Sequence, residues 1–310
     1  MERIVLAAGI LLLFISLGIA VWMRGRLVAY TSRIMESLED MIAGKEELVF
    51  NEGTDTLTAK VQVKMRQLYE SLQVRAQRLS EEKTELQEIV SDISHQVKTP
   101  ISNVRMYHQI LMNRDLPEAK QTEFLQAADA QVQKLDSLMQ SMIKLSRLET
   151  GMIDVSPKPA RLYPMVQQAV CDIALKAEAK KIDITVNCSE DIRAVCDSKW
   201  TLEAIFNLLD NGVKYNRVGG RLDIDVSETD FFVKIAVRDC GRGIEPEHLN
   251  QVFQRFYREE DVHEIEGVGL GLFLARKIIE NQKGFLDVIS SVGEGSVFSI
   301  HLPCETPSVT

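Results

Sequence analysis

The chain opens with an apolar stretch that carries no charged residue. Ile4 to Met23 holds 20 such residues, and a helix of that length spans roughly 30 Å, the thickness of a bilayer core. A cleaved signal peptide is the alternative, although its apolar region is normally shorter, about 7–15 residues. Three arginines follow the stretch within ten residues, whereas only Arg3 precedes it. The positive-inside rule therefore predicts a single-pass membrane protein with residues 1–23 as the anchor and residues 24–310 in the cytoplasm.

A helical pattern continues from Leu27 to about Met41, breaks at two short glycine-containing segments, and resumes near Thr56. The second stretch is rich in Gln, Arg, Glu and Lys, as is typical of an exposed helix or a coiled coil. We interpret residues 24–84 as a cytoplasmic linker. The stretch then passes into a regular apolar stripe with spacings of three and four, typical of a core-facing helix. The stripe consists of Leu86, Val90, Ile93, Val97, Ile101 and Val104.

One histidine in this helix lies away from the apolar stripe. His95 is two residues from Ile93 and two from Val97, which places it about 160° from the stripe at roughly 100° per residue. Its helical neighbours, including Asp92 and Thr99, are polar. A buried structural histidine would lie on the stripe, so this imidazole should face water or a partner. It can act there as a base, a ligand or a nucleophile. Pro100 should bend or loosen the helix one turn later.

A second amphipathic helix begins near Pro117 and stops at Gly151. The two helices predict a hairpin over residues 85–152. One hairpin buries its two stripes poorly, whereas two copies form a four-helix bundle, so we predict a homodimer. The stripe of the second helix is spaced like a heptad repeat. It consists of Leu125, Ala128, Val132, Leu135, Met139 and Met142.

The pattern changes after Pro157 and Pro159, where strand-like and helical runs alternate. This mixed order predicts an α+β sandwich over residues 158–304, with helices on one face of a mixed sheet, followed by a tail at 305–310. The predicted helices are Leu162–Lys180, Ser198–Tyr215 and Gly271–Gln282. The predicted strands are Ile182–Asn187, Ala194–Cys196, Arg221–Ser227, Phe232–Arg238, Gly284–Ser290 and Ser296–Leu302.

The net charge and the cysteine spacing argue against nucleic-acid binding, a zinc site and a disulfide framework. The net charge of −9 argues against a nucleic-acid-binding protein, which is usually basic. The five cysteines show no CxxC spacing, so we interpret them as small buried residues in a reducing compartment. Neither a zinc site nor a disulfide framework is expected.

The helix Ser198–Tyr215 carries a polar face opposite its apolar stripe. Asn207, Asn211, Lys214 and Tyr215 share this face with Glu203. Two amides and an amine at these spacings can hold a hydrated Mg²⁺ and phosphate oxygens. Taken alone, the same face is more often simply solvated.

Two glycine-containing segments suggest that this face belongs to a nucleotide site. Asp239 ends a predicted strand and precedes Gly241 and Gly243, so its carboxylate can accept a hydrogen bond from a ligand amine. Further on, Gly267-Val268-Gly269-Leu270-Gly271 runs into a helix whose free N–H groups can bind phosphate. The pattern is not GxxxxGK[ST], which excludes a P-loop. We interpret the charged run at 259–266 as a lid over the nucleotide.

Together these residues resemble the two-component sensor histidine kinases, in the membrane-bound form with a HisKA-type dimerisation domain and a GHKL-type ATPase domain. The resemblance covers residues 85–303 and rests on five motifs in the family's order, and the linker resembles a degenerate HAMP segment. The motifs are Ser94-His95-Gln96-Val97-Lys98-Thr99-Pro100, the run from Asn207 to Asn216, Asp239-Cys240-Gly241-Arg242-Gly243, Phe253 to Arg258, and Gly267 to Gly271.

The resemblance implies a Bergerat-type ATP-binding fold and a role for each matching residue. By position, Asn211 binds Mg²⁺ and Asn207 assists. His95 attacks the γ-phosphate of ATP, and the phosphoryl group passes to an aspartate of a response regulator. Thr99 orients water for dephosphorylation of that regulator. The other implied roles are phosphate contact by Lys214 and Arg258, adenine contact by Tyr215 and Asp239, and shaping of the pocket by Gly241, Gly243, Gly267, Gly269 and Gly271.

The chain departs from the family pattern at Gln96. An acidic residue usually follows the histidine and takes its proton, and an amide cannot act as a base. Asp92, one turn before His95, is a candidate substitute. Two alternatives therefore stay open: a kinase-impaired scaffold or phosphatase, and an ATP-driven machine of the gyrase and Hsp90 kind, although the latter needs a glutamate where Asn207 stands. We also expect no extracellular sensor domain, so a signal should arrive through the membrane, through a partner or from the cytosol. A membrane partner such as a transporter is one candidate.

Overall fold

The computed structural model describes residues 2–42, 57–112, 116–149, 155–259, 265 and 267–304. The chain divides into two compact units, residues 1–91 and 92–310. Helix α1 (Glu2–Ile42) contains the apolar stretch. Within the described residues it is the one helix long and apolar enough to cross a membrane, over Gly9–Glu36 with a mean hydropathy of 1.8. The glycine-containing segments predicted to break the linker fall outside the described residues.

Two long helices follow, as predicted. Helix α2 (Leu57–Leu111) runs without interruption through Pro100, which is buried. Pro100 has no N–H to donate to the carbonyl of Gln96, but the helix does not end there. Helix α3 (Glu118–Glu149) begins directly after Pro117, where the missing N–H costs nothing because the first N–H groups of a helix have no intrahelical partner.

The two helices contact each other through a mixture of ring and polar groups. The rings of Tyr107 and Phe124 lie 6.0 Å apart, and Asn103 Nδ2 donates to Gln131 Oε1 at 3.5 Å. The apolar stripe of α3 is only partly covered in the single chain. Leu138 is buried, whereas Leu125 and Val132 are 59% and 51% exposed.

The C-terminal part is an α+β sandwich, as predicted, with a small two-stranded ribbon beside it. Its helices are α4 (Leu162–Ala179), α5 (Ser198–Lys214) and α6 (Gly271–Glu280), with a short 3₁₀ turn at Gln251–Phe253. Its strands are β1 (Lys158–Arg161), β2 (Asp183–Asn187), β3 (Arg193–Cys196), β4 (Arg221–Glu228), β5 (Phe232–Asp239), β6 (Phe285–Ser291) and β7 (Gly295–Pro303).

The main sheet is mixed and has helices on one face. Its strand order is β2-β4-β5-β7-β6, in which β2 and β4 are parallel and the other neighbours are antiparallel. Alternate residues of β4 and β5 face the helices, and Leu222, Ile224 and Ile235 are fully buried there. The buried residues of these strands alternate with exposed or half-buried ones, as in a sheet with one covered face. They pack with the apolar residues of α5 and α6 in a single core.

Strand β1 was not predicted from the sequence. It contains Pro159 and pairs antiparallel with β3, with Pro159 opposite Val195. Proline cannot donate to a strand ladder and is tolerated at sheet edges. The two prolines at 157 and 159 are typical of a loop, which is why the sequence did not indicate this short strand.

Polar contacts at its N-terminus fix the position of α5. The Asp197 carboxylate accepts hydrogen bonds from the N–H groups of Lys199 (3.1 Å) and Trp200 (3.3 Å), which is N-cap geometry. The buried Gln282 Oε1 accepts from Asp197 N and Thr201 Oγ1. The helix that carries the predicted polar face is therefore anchored to the segment that follows α6.

Candidate active site

A cavity of about 400 Å³ lies beside the polar face of α5. Its other walls come from the loop after β5, the segment that leads into α6, and a polar face of α3. Most of the binding residues predicted from the sequence line it together. These are Asn207, Asn211, Lys214, Tyr215, Asp239, Gly243, Arg258, Gly267, Gly269 and Gly271.

The two asparagines have the donor atoms that a magnesium ion requires. Asn207 Nδ2 donates to the backbone oxygen of Glu203 at 2.7 Å, so its Oδ1 keeps acceptor capacity. A Cβ at Gly271 would come within 2.9 Å of this oxygen, so the glycine leaves room beside it. Asn211 follows one turn later on the same face. Amide oxygens fit a hard cation such as Mg²⁺.

Lys214 is held by a carboxylate in this structure. Its Nζ lies 2.5 Å from Asp210 Oδ2, and Lys176 of α4 lies 2.7 Å from the other oxygen of Asp210. Burial works against the charge of Asp210, but Lys214 and Lys176 together hold its pKa below the ordinary value. The predicted phosphate-binding lysine therefore belongs to a network of three charged groups.

Asp239 is a buried carboxylate at the end of β5. It is 6% exposed, and its Oδ1 accepts from the N–H groups of Gly241 (2.8 Å) and Ser296 (3.3 Å). Burial raises the pKa of Asp239, and these two hydrogen bonds oppose that rise. Both bonds use the same oxygen, so Oδ2 keeps its acceptor capacity for an amine of a ligand.

Two glycines in the loop after β5 allow backbones to approach closely. A Cβ at Gly241 would lie 2.4 Å from Tyr215 O, and one at Gly243 would lie 2.0 Å from Ser291 O. Gly243 also has a φ of 74°, in the left-handed region. Gly241 itself does not line the cavity but lies behind Asp239, to which its N–H donates.

A cluster of charged and aromatic groups lines the cavity next to the segment interpreted as a lid. Arg258 Nη1 donates to Gly267 O at 3.0 Å, and Nη2 donates to Ile265 O. Arg242 forms a 2.8 Å ion pair with Glu259. Arg258 thus joins the two ends of the segment interpreted as a lid, although residues 260–264 and 266 fall outside the described residues. Burial raises the pKa of Tyr215, which lies beside Arg258.

Several charged residues at the cavity were not predicted from the sequence. Lys144 of α3 forms a 2.7 Å ion pair with Glu203 of α5, and Lys176 comes from α4. Asp210 had a local signal, because it lies four residues before Lys214 in one helix. Lys144 and Lys176 had no such signal, because their partners lie 59 and 34 residues away in the sequence and on other helices.

The predicted phosphoacceptor group lies on α2 rather than in the cavity. His95, Asp92 and Thr99 are exposed, and Gln96 is half-buried. Thr99 Oγ1 donates to the backbone oxygen of His95 at 3.4 Å. None of these four residues is among the described residues that line the cavity. The structure therefore brings together most of the residues predicted to bind a nucleotide, whereas the histidine lies on an exposed surface of α2.

Comparison with known proteins covers both parts of this arrangement. Residues 85–151 match the His Kinase A (phospho-acceptor) domain, and residues 196–306 match the family of histidine kinase-, DNA gyrase B- and HSP90-like ATPases. Drug sensory protein A of Synechocystis sp. is 29% identical over 225 residues, which cover 68% of this chain and 34% of that protein. Sensor protein kinase PmrB of Pseudomonas aeruginosa is 26% identical over 251 residues, covering 81% and 52%.

The chain thus spans about a third to a half of the length of these curated relatives. Among solved structures, histidine kinase ThkA in complex with the response regulator protein TrrA has a TM-score of 0.60 at 20% identity. The match covers 78% of this chain and 67% of that one. Identity this low shows the fold alone. The two family matches and the named relatives show that the chain belongs to the sensor histidine kinases of two-component systems.

Proposed function

We propose that the chain catalyses transfer of the γ-phosphoryl group of ATP to His95, and from there to an aspartate in the receiver domain of a response regulator. The observation that carries this proposal is the pairing of two features in one chain. One is a cavity with an asparagine face, a lysine and a buried carboxylate. The other is an exposed histidine in a phospho-acceptor domain.

In this proposal, different residues of the cavity contact the base, the phosphates and the metal ion. Asp239 Oδ2 accepts a hydrogen bond from the adenine amine, and Tyr215 packs against the base. Asn211 and Asn207 supply amide oxygens for Mg²⁺, which offsets the negative charge of the phosphates when it is bound. Lys214 and Arg258 contact phosphate oxygens. The N–H groups in the first turn of α6, which begins at Gly271, add the positive end of a helix dipole.

At His95 the unprotonated ring nitrogen forms the new bond to phosphorus. The bond from phosphorus to the bridging oxygen breaks, and ADP leaves with that electron pair. The ring then carries a positive charge, which is removed when its N–H proton passes to a base. Gln96 cannot accept this proton. Asp92 lies one turn earlier on α2 and is exposed, so we assign it the role of acceptor.

The apolar stripes of the hairpin support a homodimer. Leu125, Val132 and Met139 of α3 are all more than half exposed in the single chain, as is Ile101 of α2. Pairing two hairpins removes these side chains from water. We assign dimerisation and phosphotransfer to residues 85–152 and ATP binding to residues 158–304.

A response regulator is the proposed acceptor, in keeping with ThkA, which has been solved with such a protein. Thr99 follows His95 by one turn, and its hydroxyl can orient the water that hydrolyses a regulator's phosphoaspartate. Regulator phosphatase activity therefore belongs to the same proposal.

We also propose a single crossing of the membrane by α1, with residues 24–310 in the cytoplasm, from the arginines that follow its apolar stretch. A membrane partner such as a transporter stays a prediction, which co-purification from membranes tests.

Incubation of the purified full chain with γ-labelled ATP tests the kinase. We expect a protein-bound label that is acid-labile and base-stable, and that is absent from His95→Ala. Hydrolysis of ATP without labelled protein would instead favour the ATP-driven machine. ATP binding with neither label nor hydrolysis would favour the scaffold or phosphatase.

The proton acceptor needs a separate measurement. Asp92→Asn should slow labelling by about a hundredfold or more, the usual contribution of a general base, while leaving ATP affinity unchanged. Asp92→Glu should recover part of the rate. A normal rate in Asp92→Asn would remove Asp92 from the mechanism.

A further inference from the structure

Asp210 and its two lysines form a network that the proposed role of Lys214 does not explain. The Asp210 side chain is 14% exposed. Its Oδ2 lies 2.5 Å from Lys214 Nζ, and its Oδ1 lies 2.7 Å from Lys176 Nζ. Each carboxylate oxygen thus has its own lysine. One lysine can leave without disturbing the contact of the other.

Lys214 has to leave Asp210, at least in part, to contact a phosphate. With Lys214 as its sole partner, the departure would leave a largely buried carboxylate without a compensating charge. Such a state is costly because burial removes the water that would otherwise stabilise the charge. Lys176 changes this balance, since it remains on Oδ1 and continues to compensate the carboxylate.

Lys176 is positioned to stay where it is. Its Nζ lies 5.8 Å from the centroid of the Phe206 ring, on the same helix as Asp210, within the range of a cation–π contact. Lys180, the C-cap residue of α4, donates to the backbone oxygens of Val213 (3.0 Å) and Lys214 (2.6 Å). Helix α4 is thereby joined to α5 at the level of the network.

We propose that Lys176 is a positioning residue for nucleotide binding, which compensates Asp210 so that Lys214 can turn toward the phosphates of ATP. The inference rests on the proposed function, because only there does Lys214 have a phosphate partner. Lys176 acts through Asp210 and Lys214, and it need not touch the nucleotide.

Calorimetric titration of the full chain in detergent tests this role, with the non-hydrolysable analogue AMP-PNP and with adenosine as probes. Lys176→Met should weaken AMP-PNP binding by about fivefold, in line with the loss of one partly exposed ion pair. Adenosine affinity should not change, since adenosine has no phosphate for Lys214 to contact. Lys176→Arg should restore AMP-PNP binding, because a guanidinium can still pair with Asp210.

The decisive variant combines Lys176→Met with Asp210→Asn. With no full charge holding Lys214, AMP-PNP binding should return to within about twofold of wild type. Binding that stays weak in the double variant would overturn the proposal, because Lys176 would then act directly on phosphate or on the fold. Unchanged AMP-PNP affinity in Lys176→Met would also overturn it. Failure of the wild-type chain to bind AMP-PNP would overturn the proposed function itself, and this inference with it.

Discussion

The sandwich and the helical hairpin bury their apolar residues in different ways. Helix α5 places Ile205, Leu208 and Leu209 at zero exposure against the sheet and its neighbouring helices. Helix α3 buries Leu138 but leaves Leu125 and Val132 more than half exposed. The sandwich therefore forms its core from one chain, whereas the hairpin needs a second surface to complete its own. The proposed nucleotide pocket depends on the first kind of packing, and the proposed dimer depends on the second.

The largest effect is expected in the core of the sandwich. Leu209→Ala should lower the free energy of unfolding by about 3–5 kcal/mol, because the side chain is fully buried and a cavity remains. The matched control is Leu175→Ala on α4, where the leucine is 81% exposed and the change should stay below about 0.5 kcal/mol. Denaturant unfolding measures both. Similar losses at the two positions would contradict the core described above.

A mutation in the exposed apolar stripe of α3 should weaken association of two chains rather than the folding of one chain. Leu125→Lys should weaken the dimer by about 2–3 kcal/mol, since each dimer would bury two new charges. Gln126→Lys, at the exposed position beside it, is the control and should leave the dimer intact. Analytical ultracentrifugation distinguishes the two variants. An unchanged dimer in Leu125→Lys would place the interface elsewhere.

Asp239 should show a conflict between binding and stability. Asp239→Asn should weaken ATP binding by about 2 kcal/mol, roughly thirtyfold, because a hydrogen bond to a charged group is lost. The same variant should stabilise the nucleotide-free protein at neutral pH, because burial raises the pKa of Asp239. The folded state binds the proton of Asp239 more tightly than the unfolded state does. The Asp239 carboxyl therefore lowers the free energy of unfolding as pH rises above its pKa in the unfolded chain.

Thermal melts at several pH values check the sign of this effect. The stability gained in Asp239→Asn should vanish at a pH below the pKa of Asp239 in the unfolded chain, because the wild-type carboxyl is then protonated in both the folded and the unfolded state. A variant less stable than wild type at neutral pH would contradict the assigned cost of burial.

The smallest effect is expected where the hairpin meets the sandwich. Lys144 and Glu203 form a partly exposed ion pair at 2.7 Å, and such pairs contribute less than about 1 kcal/mol. A double-mutant cycle with Lys144→Met and Glu203→Gln measures the coupling in the full chain. A coupling well above 1 kcal/mol would contradict the description of this pair as a weak, partly exposed contact.

The helices and strands that follow a short-range pattern of apolar residues could be predicted from the sequence. The apolar stripe of α5 and the strand-like runs at β4 and β5 were visible in the sequence because such patterns repeat within a few residues. Strand β1 was not, since its prolines are typical of a loop and its pairing with β3 joins residues that lie far apart in the chain. The asparagine face of α5 was found, but the pairing of Asp210 on that helix with Lys176 of α4 was not. Contacts between different helices depend on packing angles that no single-chain pattern contains.

The close approach of backbones at Gly241 and Gly243 limits how this pocket can change by mutation. Any side chain at these two positions would run into Tyr215 O or Ser291 O, so a substitution requires movement of a neighbouring segment. Cys240 and Arg242 already carry side chains, and both are half-buried. Substitutions that keep the backbone in place are therefore expected at these two positions rather than at the glycines. A substitution at position 242 would therefore remove the ion pair with Glu259 without placing a side chain against the backbone beside Asp239.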